Sequence, residues 1–488
     1  MQDMLLILDF DHRYATAAAL RLRGEGIYCR ILPGDTLPQD IMALSPLGIV
    51  LAGGVHGEVP LSLDGRLLHA GMPLLALGNT AGSLLMLLNG TVGEMQEKDA
   101  VDTVRFEQSA LTEGMTESER MLGTVYPLEL TEELSPIAWV EEQVIGFRHN
   151  TLPLYAMGFQ VESNDPEGTS LLFRFAREIC GCSQWWNESA FIAAARSDIS
   201  AKVGDGLALC ALTGGLDSSV AASIAHRALG DKLRCVFVDT GLLRQDEVSR
   251  FIANYQEEEK LNITLIHAQD NFFAALSGLT TRQEKWDAID RTMRETLRQA
   301  AAGIEYTAII RGITCSDLMR VGKATPMLPE EGRTIIAPLS ELFKEEVRSI
   351  GEKLGLPQAM TGGQPFPATG LALRVAGEAT KERLNTLRAA DAVFAEEIER
   401  AGLHKRLWKY YVTMQPEECG GESGRDDLTL RAVSLADSQS GGTATIPSRL
   451  PYDLLERVVE KIKQTCPNVR RVVYDLTPGT GMTDELWQ

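Results

Sequence analysis

A run of small and hydroxyl-bearing residues follows a short apolar segment near the middle of the chain. Leu207 to Leu212 has the length and composition of a buried strand, and a helical pattern starts at Val220. Between them stand Thr213, Gly214, Gly215, Leu216, Asp217, Ser218 and Ser219. Glycines let backbone N–H groups approach an anion, and hydroxyls at a helix N-terminus add donors where the helix dipole is positive. The pattern therefore predicts a phosphate-binding loop, although an ordinary strand–helix turn with a Ser or Asp cap is the alternative.

The spacing is neither the Walker pattern nor G-x-G-x-x-G. The stretch TGGLDSS instead resembles the SGGxDS loop of the ATP pyrophosphatases, which split ATP between the α and β phosphates, with Thr213 in place of the first serine. The resemblance implies ATP and Mg²⁺ as cofactors, because Mg²⁺ bridges phosphate oxygens with few protein ligands. Asp217 is the candidate metal ligand and catalytic residue, or it holds the geometry of the loop.

Two later segments complete the predicted ATP site. The run from Val238 to Arg244 resembles the VDNGLLR of GMP synthetases, with Thr240 for asparagine. Ligands of doubly wound sheets lie beyond the carboxyl ends of strands, which places Val238 and Asp239 beside the nucleotide. A helix-capping role is the alternative for Asp239. The segment after Arg311 resembles the family's QGTxxPD and keeps Gly312, Thr314 and Asp317, while Arg311 departs from it.

The segment from Pro338 to Pro357 is nearly identical to its counterpart in that family. Lys344 and Arg348 lie one helical turn apart on the same face. Cations there stabilise the charge of departing pyrophosphate, so Lys344 is the second predicted catalytic residue, ahead of Arg348. A solvated face paired with Glu341, Glu345 and Glu346 is the alternative.

The first third alternates strand and helix patterns, and a tight Gly-Asn-Thr-Ala-Gly turn around Thr80 follows one strand in the outline of a nucleophile elbow. This region resembles the class I glutamine amidotransferase domain of GMP synthetases, in which the elbow carries cysteine and a later F-H-P-E segment carries the other catalytic residues. Here Thr80 stands at the cysteine position and Gln160 at the histidine position, while Glu162 remains.

Glutamine hydrolysis needs a thiolate and a histidine that carries the proton. Thr80 has no adjacent base, and Gln160 has no titratable proton. His149 is the alternative base, although a lone histidine more often has a local structural role. Gly53 and Gly54 retain the outline of an oxyanion-hole turn. The sequence therefore predicts a degenerate domain without glutaminase activity.

In the last third, the runs from Gln364 to Val375 and from Leu450 to Thr480 resemble segments of GMP synthetases, the second in their C-terminal dimerisation domain. The resemblance implies a homodimer. Departures from the family cluster where the acceptor nucleotide should bind: the K-P-P lysine that holds the phosphate of xanthosine monophosphate is missing from Thr477 to Met482, and the R-H before the P-F-P segment is Gly363-Gln364. Arg374 and Glu485 are the substrate-binding residues that the resemblance implies.

A phosphate dianion needs charge-assisted partners, and the sequence has lost cations that would supply them. We therefore expect a different acceptor, which is purine-like or another carbonyl compound. Trp286 is a candidate stacking face for this acceptor, or it is a core residue.

The composition of the chain limits the partners and the cellular compartment that we expect for it. The chain has 488 residues, a formal net charge of −20 and 8 cysteines. The charge argues against nucleic-acid and anionic-membrane partners, and scattered cysteines without metal-site spacing indicate reduced thiols in a cytoplasmic protein. We expect an α/β fold: an amidotransferase-like domain (1–185) and an ATP pyrophosphatase domain (186–363), both doubly wound with parallel sheets, and a C-terminal α+β dimerisation domain (364–488).

The predicted function is that of an ATP-dependent ligase that adenylylates an acceptor oxygen and releases pyrophosphate, after which ammonia or another amine displaces AMP. Two alternatives stay open. One is an ammonia-dependent GMP synthetase that acts on xanthosine monophosphate, and the other is a catalytically silent nucleotide-binding regulatory subunit.

Overall fold

The chain forms two compact units, residues 1–190 and 191–488. The structure is a computed structural model that describes residues 3–54, 63–162, 165–258, 260–315, 317–318, 327–361, 369–415, 426–435 and 445–477. The boundary near residue 190 lies close to the predicted one at 185. The predicted boundary at residue 364 falls inside the second unit, and that part of the domain division stays a prediction.

The first unit is built on a sheet that is nine-stranded in the described residues, in the order β2-β1-β3-β4-β11-β10-β9-β6-β7. Its strands, with a separate two-stranded ribbon of β5 and β8, are β1 Leu5–Asp9, β2 Cys29–Pro33, β3 Gly48–Ala52, β4 Leu74–Leu77, β5 Thr91–Val92, β6 Gln96–Phe106, β7 Glu117–Val125, β8 Leu128–Glu129, β9 Leu134–Val140, β10 Gln143–His149 and β11 Leu154–Met157. The first five strands of that order are parallel, and the rest pair antiparallel. The antiparallel half corrects the expectation of a wholly parallel sheet.

The central parallel strands β3 and β4 are apolar along their whole length, as is typical of strands with both faces covered. The side chains of β1 and β3 are buried almost throughout. The helices of this unit are α1 His12–Gly24, α2 Pro38–Ala43, α3 Asn79–Leu87 and α4 Pro166–Arg174. Asp11 caps α1 by accepting from the backbone N–H of Arg13 at 3.1 Å, which fixes where the helix begins. A further helix, α5 (Glu188–Val203), spans the boundary between the units.

The second unit contains a parallel sheet whose described strands are ordered β14-β13-β12-β15-β16. These strands are β12 Ala208–Leu212, β13 Leu233–Asp239, β14 Ile263–His267, β15 Ala308–Ile310 and β16 Thr334–Ile336. The helices that follow them are α6 Leu216–Leu229, α7 Glu247–Ile252, α8 Gln269–Leu276, α9 Arg282–Ala301, α10 Lys344–Lys353 and α11 Gln358–Thr361. The strand order reverses at β12, so the crevice of this sheet opens at the end of β12, where the predicted phosphate loop begins.

The rest of the second unit is an α+β layer. Its elements are a 3₁₀ turn at Gly370–Arg374, α12 Lys381–Arg400, β17 Lys409–Gln415, β18 Asp426–Leu435, β19 Thr445–Pro447, α13 Tyr452–Thr465 and β20 Val469–Tyr474. β17 and β19 pair antiparallel with β18, and β20 pairs parallel with it. Side chains of α12 and α13 share one apolar cluster with side chains of β12 and β13, such as Leu209 and Val236. The α/β class is confirmed, and no helix in the described ranges has the length and apolarity needed to span a membrane.

Candidate functional site

The predicted phosphate loop joins β12 to α6 in a tight turn. Gly214 has a φ of +81°, a left-handed conformation that favours glycine. The hydroxyls of Ser218 and Ser219 donate to the carbonyl oxygen of Gly215, at 3.1 and 2.6 Å, and the Thr213 and Ser218 hydroxyl oxygens lie 3.0 Å apart. α6 begins without a side-chain cap because its N-cap is Gly215. The first-turn N–H groups are therefore available to a bound anion.

The segment after β15 closes one side of this loop. A Cβ on Gly312 would lie 2.5 Å from the Ser218 backbone nitrogen and 2.6 Å from its Cα, closer than real Cβ atoms come. Glycine at position 312 thus lets two backbone segments meet at the start of α6. Gly312 thus lies at the predicted site, where it packs against Asp217 and Ser218. The sequence alone does not show this contact.

Three charged side chains meet beside the loop. The Lys344 ammonium donates to Asp217 Oδ2 and lies 3.7 Å from Asp317 Oδ2. Asp317 Oδ2 also accepts from the backbone N–H of Thr314 at 3.0 Å and from its hydroxyl at 2.7 Å. Lys344 keeps 44% of its side chain exposed, so its charge can reach a ligand in the crevice. The grouping places one partly exposed cation and two carboxylates next to the N-terminus of α6.

The environment of the Asp217 carboxyl suits a metal ligand. Its Oδ1 is buried and has no hydrogen-bond partner among the described residues. Burial raises the pKa of the Asp217 carboxyl, and the nearby Lys344 ammonium lowers it by a smaller amount. An orphaned carboxylate oxygen is a ligand that Mg²⁺ accepts, so the residues present fit the ion that ATP would bring.

Val238 and Asp239 lie at the end of β13, as predicted. The Val238 side chain is buried in the core. Asp239 Oδ1 accepts from the backbone N–H of Gly241 at 3.0 Å, and its Oδ2 accepts from Gln269 Nε2 at 2.6 Å. Asp239 therefore caps the turn after β13, and its contact with nucleotide stays a prediction. Sequence reasoning missed Gln269, although the rule that selected Asp239 applies to it as well, since it follows the neighbouring strand β14.

Two predicted cations lie away from the loop. Arg348 Nε donates to the carbonyl oxygen of Thr361 at 2.6 Å, so it stabilises the region around α10 and not the Lys344 cluster. Arg374 has only 2% of its surface exposed and donates to Asp391 Oδ1 at 2.8 Å. Burial lowers the pKa of Arg374 to about 10. The substrate role of Arg374 stays a prediction, and its guanidinium is enclosed in this conformation.

Only some of the other residues that we predicted to lie near the acceptor belong to the part of the chain that the structure describes. Glu485 and Gln364 lie outside the described residues. Trp286 on α9 is 42% exposed, as a stacking face requires. Its neighbour Lys285 is buried and donates to the carbonyl oxygen of Val375 at 2.5 Å, and burial lowers its pKa to about 8. Of this pair, Trp286 is the side chain that a ligand can reach.

In the first unit, Thr80 lies inside a helix. It is the second residue of α3, and the left-handed φ of the turn (63°) belongs to Gly78. The Thr80 hydroxyl donates to the carbonyl oxygens of Leu77 and Leu51, at 2.7 and 3.1 Å, and accepts from the Leu77 N–H at 3.0 Å. The positive φ of this turn thus lies at Gly78 and not at Thr80, and the fully buried Thr80 hydroxyl is hydrogen-bonded to the backbone.

Gln160 fills the place next to this turn. Its side-chain amide donates to the carbonyl oxygens of Gly53 and Gly54, the latter at 3.2 Å. A Cβ on Gly78 would overlap Gln160 Nε2, which shows how closely the amide approaches the turn. The Gly53-Gly54 pair therefore presents carbonyls to Gln160.

The remaining candidate glutaminase residues face other groups. Glu162 is about half exposed and lies 3.9 Å from Arg13. His149 Nδ1 accepts from the backbone N–H groups of Thr151 and Leu152, both at 3.1 Å. His149 thus supports a local turn, which is the structural role expected of a lone histidine.

Comparison with known proteins identifies relatives of the whole chain. The family described as GMP synthase C terminal domain matches residues 396–486. Curated proteins named GMP synthase [glutamine-hydrolyzing] from Clostridium botulinum strain Hall, Clostridium perfringens strain 13 and Geobacillus kaustophilus HTA426 are each 33% identical to the chain, with 100% of both chains covered.

The chain belongs to the GMP synthase family. At 33% identity it is a divergent member. A solved structure of a GMP synthase component from Thermoplasma acidophilum covers 37% of the chain and 94% of its own, at 18% identity and a TM-score of 0.29, and a likeness this low says nothing about the fold. Membership of the GMP synthase family places this protein among ligases of that type.

Proposed function

We propose that this GMP synthase family member is an ATP-dependent, AMP-forming ligase that takes ammonia or another amine and does not hydrolyse glutamine. One observation carries the proposal: the uncapped start of α6, the Thr213–Ser219 loop and the Asp217–Lys344 pair meet at the end of β12, where the order of the parallel strands reverses. Open sheets of this class bind their ligands at that point.

The chemistry follows from where charge develops. An acceptor oxygen attacks the α-phosphorus of ATP, the bond from that phosphorus to the bridging oxygen breaks, and pyrophosphate leaves with the electron pair. The N–H groups at the start of α6 and the Lys344 ammonium hold the departing pyrophosphate. Mg²⁺, held through Asp217, would neutralise phosphate charge. In the second step the amine nitrogen bonds to the activated carbon and loses a proton, while the carbon–oxygen bond breaks and AMP leaves.

The absence of glutaminase activity is supported by the first unit. A nucleophile needs a partner that removes its proton, and the Thr80 hydroxyl is hydrogen-bonded only to backbone atoms of Leu77 and Leu51 in the described contacts. Gln160, at the predicted histidine position, holds the Gly53-Gly54 turn with its amide. We therefore assign the first unit a scaffold or regulatory role.

We further propose that the acceptor is purine-like and lacks a 5′-phosphate, because the sequence has lost the cations that the family resemblance assigns to that phosphate. Each charge-assisted hydrogen bond is worth about 1.5–3 kcal/mol, so the loss of two would weaken phosphate binding by orders of magnitude. Xanthosine monophosphate with ammonia is the second candidate, favoured by the 33% identity to GMP synthases along the full chain.

Exchange of labelled pyrophosphate into ATP tests the proposal, because it reports adenylate formation before any amine is needed. The full-length protein would be assayed with Mg²⁺ and a panel of purine bases, nucleosides and xanthosine monophosphate. Exchange that depends on an unphosphorylated purine supports the proposal, and amide or amine product should then form with ammonium but not with glutamine. Exchange only with xanthosine monophosphate supports the second candidate. ATP binding without exchange for any acceptor would identify a silent regulatory protein.

A further inference from the structure

The turn that follows β13 is held from outside by the C-terminal part of the chain. The carbonyl oxygen of Gly241 accepts from Arg388 Nη2 at 2.5 Å, and that of Leu243 accepts from Arg388 Nε at 2.8 Å. Between them, the carbonyl oxygen of Leu242 accepts from the backbone N–H of Leu371 at 2.7 Å. Three consecutive carbonyl groups of one turn are thus bonded to the 3₁₀ turn at Gly370–Arg374 and to α12.

The N–H groups of the same turn are satisfied locally. Gly241 N–H donates to Asp239 Oδ1 at 3.0 Å, and Leu242 N–H donates to Thr240 Oγ1 at 3.1 Å. Gly241 adopts a φ of +71°, a left-handed conformation that favours glycine. The inner side of the turn therefore depends on Asp239, and its outer side depends on Arg388.

Arg388 is well suited to hold this position. Its third nitrogen, Nη1, donates to Asn385 Oδ1 at 2.6 Å, which fixes the plane of the guanidinium on α12. A planar fork can reach two carbonyl oxygens at once, whereas a lysine ammonium is a single point of charge. Burial lowers the pKa of Arg388 while the Asp239 charge opposes that change, which places the two side chains in one electrostatic neighbourhood.

We propose that Arg388 is a positioning residue of the nucleotide site: by holding the carbonyls of Gly241 and Leu243, it fixes the turn that Asp239 caps at the end of β13. This inference rests on the proposed ligase function. It gives the C-terminal segment a part in ATP binding, in addition to the dimerisation and acceptor roles predicted from the family resemblance.

The test compares Arg388→Met and Arg388→Lys in the full chain, with Arg383→Met as the matched control. Arg383 lies on the same helix and also donates to carbonyl oxygens, those of Ala376 at 3.0 Å and Glu378 at 2.6 Å, but it does not bond to the turn after β13 in the described contacts. Titration calorimetry with Mg·ATP measures affinity, and hydrogen exchange measures protection of the amides of residues 240–243.

Arg388→Met should weaken Mg·ATP binding by about tenfold, since two charge-assisted hydrogen bonds to the turn are lost. Arg388→Lys should recover part of the affinity, and Arg383→Met should bind as the wild type does. Hydrogen exchange of residues 240–243 should speed up only in the Arg388 variants. In the pyrophosphate exchange assay, the KM for ATP should rise while kcat changes little, a division that general loss of folded protein would not produce.

Two results overturn the inference in distinguishable ways. If the wild type binds Mg·ATP and Arg388→Met binds it equally well, or if Arg383→Met is weakened as much, then Arg388 does not position the site and the ligase proposal stands. If the wild type does not bind Mg·ATP, the ligase proposal and this inference fail together.

Discussion

Lys344, the first residue of α10, donates to Asp217 in the first turn of α6, so the predicted catalytic cation is paired with the candidate metal ligand. The ion pair offsets the cost of burying the Asp217 carboxylate. Asp217 is largely buried, and an isolated carboxylate there would be costly. In the proposed complex with Mg·ATP, phosphate would pair with Lys344 and Mg²⁺ with Asp217, so both charges would still have partners of opposite sign.

Replacement of Lys344 by Met should reduce pyrophosphate exchange by about 10²–10³-fold, the range seen when one preorganised donor is removed from a site of developing charge. Arg348→Met is the matched control, because Arg348 lies one turn along the same helix and donates to the Thr361 carbonyl oxygen. The control should lose some thermal stability and keep its turnover per folded molecule. Equal loss of turnover in both variants would contradict the role given to Lys344.

Asp217 should link stability to pH with a definite sign. Burial raises its pKa above the ordinary value of an aspartate, so the folded protein disfavours the ionised form, and stability is lost as the pH rises through the folded pKa. Asp217→Asn removes this loss. The unfolding temperature of the variant relative to the wild type should therefore increase as the pH rises above about 4, the ordinary pKa of an aspartate, as scanning calorimetry would show, while Mg²⁺-dependent activity falls. A relative unfolding temperature that decreases over this range would contradict the assignment.

Gly312 should be intolerant of the smallest possible side chain. A Cβ there meets the backbone of Ser218 at 2.5 Å, so Gly312→Ala must shift the start of α6 at a cost of about 1–3 kcal/mol, typical of overpacking. Gly303→Ala is the control, since a Cβ at Gly303 meets nothing within 4 Å. Thermal unfolding and Mg·ATP titration should separate the two, with affinity lowered only for Gly312→Ala. Wild-type affinity in that variant would mean that the loop geometry does not matter for binding.

The fold was predictable from the sequence where a strand is a continuous apolar run. Buried strands such as Ile49 to Ala52 and Leu209 to Leu212 are continuous apolar runs, and their alternation with helices predicts parallel sheets. The antiparallel half of the first sheet was not predicted. Its strands, among them β6 and β7, are partly exposed and carry mixed polar and apolar residues, so their pairing is decided by tertiary contacts.

The site was predictable only where its residues are contiguous. The Thr213–Ser219 loop could be identified directly because its geometry is local, and the resemblance added Lys344. Arg388 and Gln269 were not identified, because their partners are backbone carbonyls and a carboxylate from distant parts of the chain. Any residue can supply a backbone carbonyl oxygen. A hydrogen bond to such an oxygen therefore does not restrict the residue type at that position and produces no sequence pattern.

The predicted homodimer should use the C-terminal layer. Tyr452 and Leu476 are 76% and 66% exposed, large apolar side chains for the surface of a lone chain. The double variant Tyr452→Glu and Leu476→Glu should shift the mass measured by light scattering from dimer towards monomer. Leu37→Glu in the first unit, where Leu37 is 50% exposed, should leave the mass unchanged. A wild-type monomer at micromolar concentration would contradict the prediction.

Thr80 should prove structural and not nucleophilic. Thr80→Val keeps the shape of the side chain but removes the hydroxyl that bonds to Leu77 and Leu51, leaving a buried backbone N–H without its partner. The expected loss of stability is about 1–3 kcal/mol, measured by denaturant unfolding, with ammonia-dependent activity retained per folded molecule. Ser83→Ala, a hydroxyl change in the same helix at a residue that also bonds to backbone, is the control for local damage.

A thiol at the same position distinguishes a missing nucleophile from a missing base. Thr80→Cys should release no glutamate from glutamine, because the described contacts of this buried helical position include no base that would ionise a thiol, and burial raises the pKa of a thiol. Glutamate release by Thr80→Cys would mean that another group in the first unit accepts the proton. Glutamate release by the wild type that Thr80→Val abolishes would show instead that the threonine hydroxyl attacks substrate.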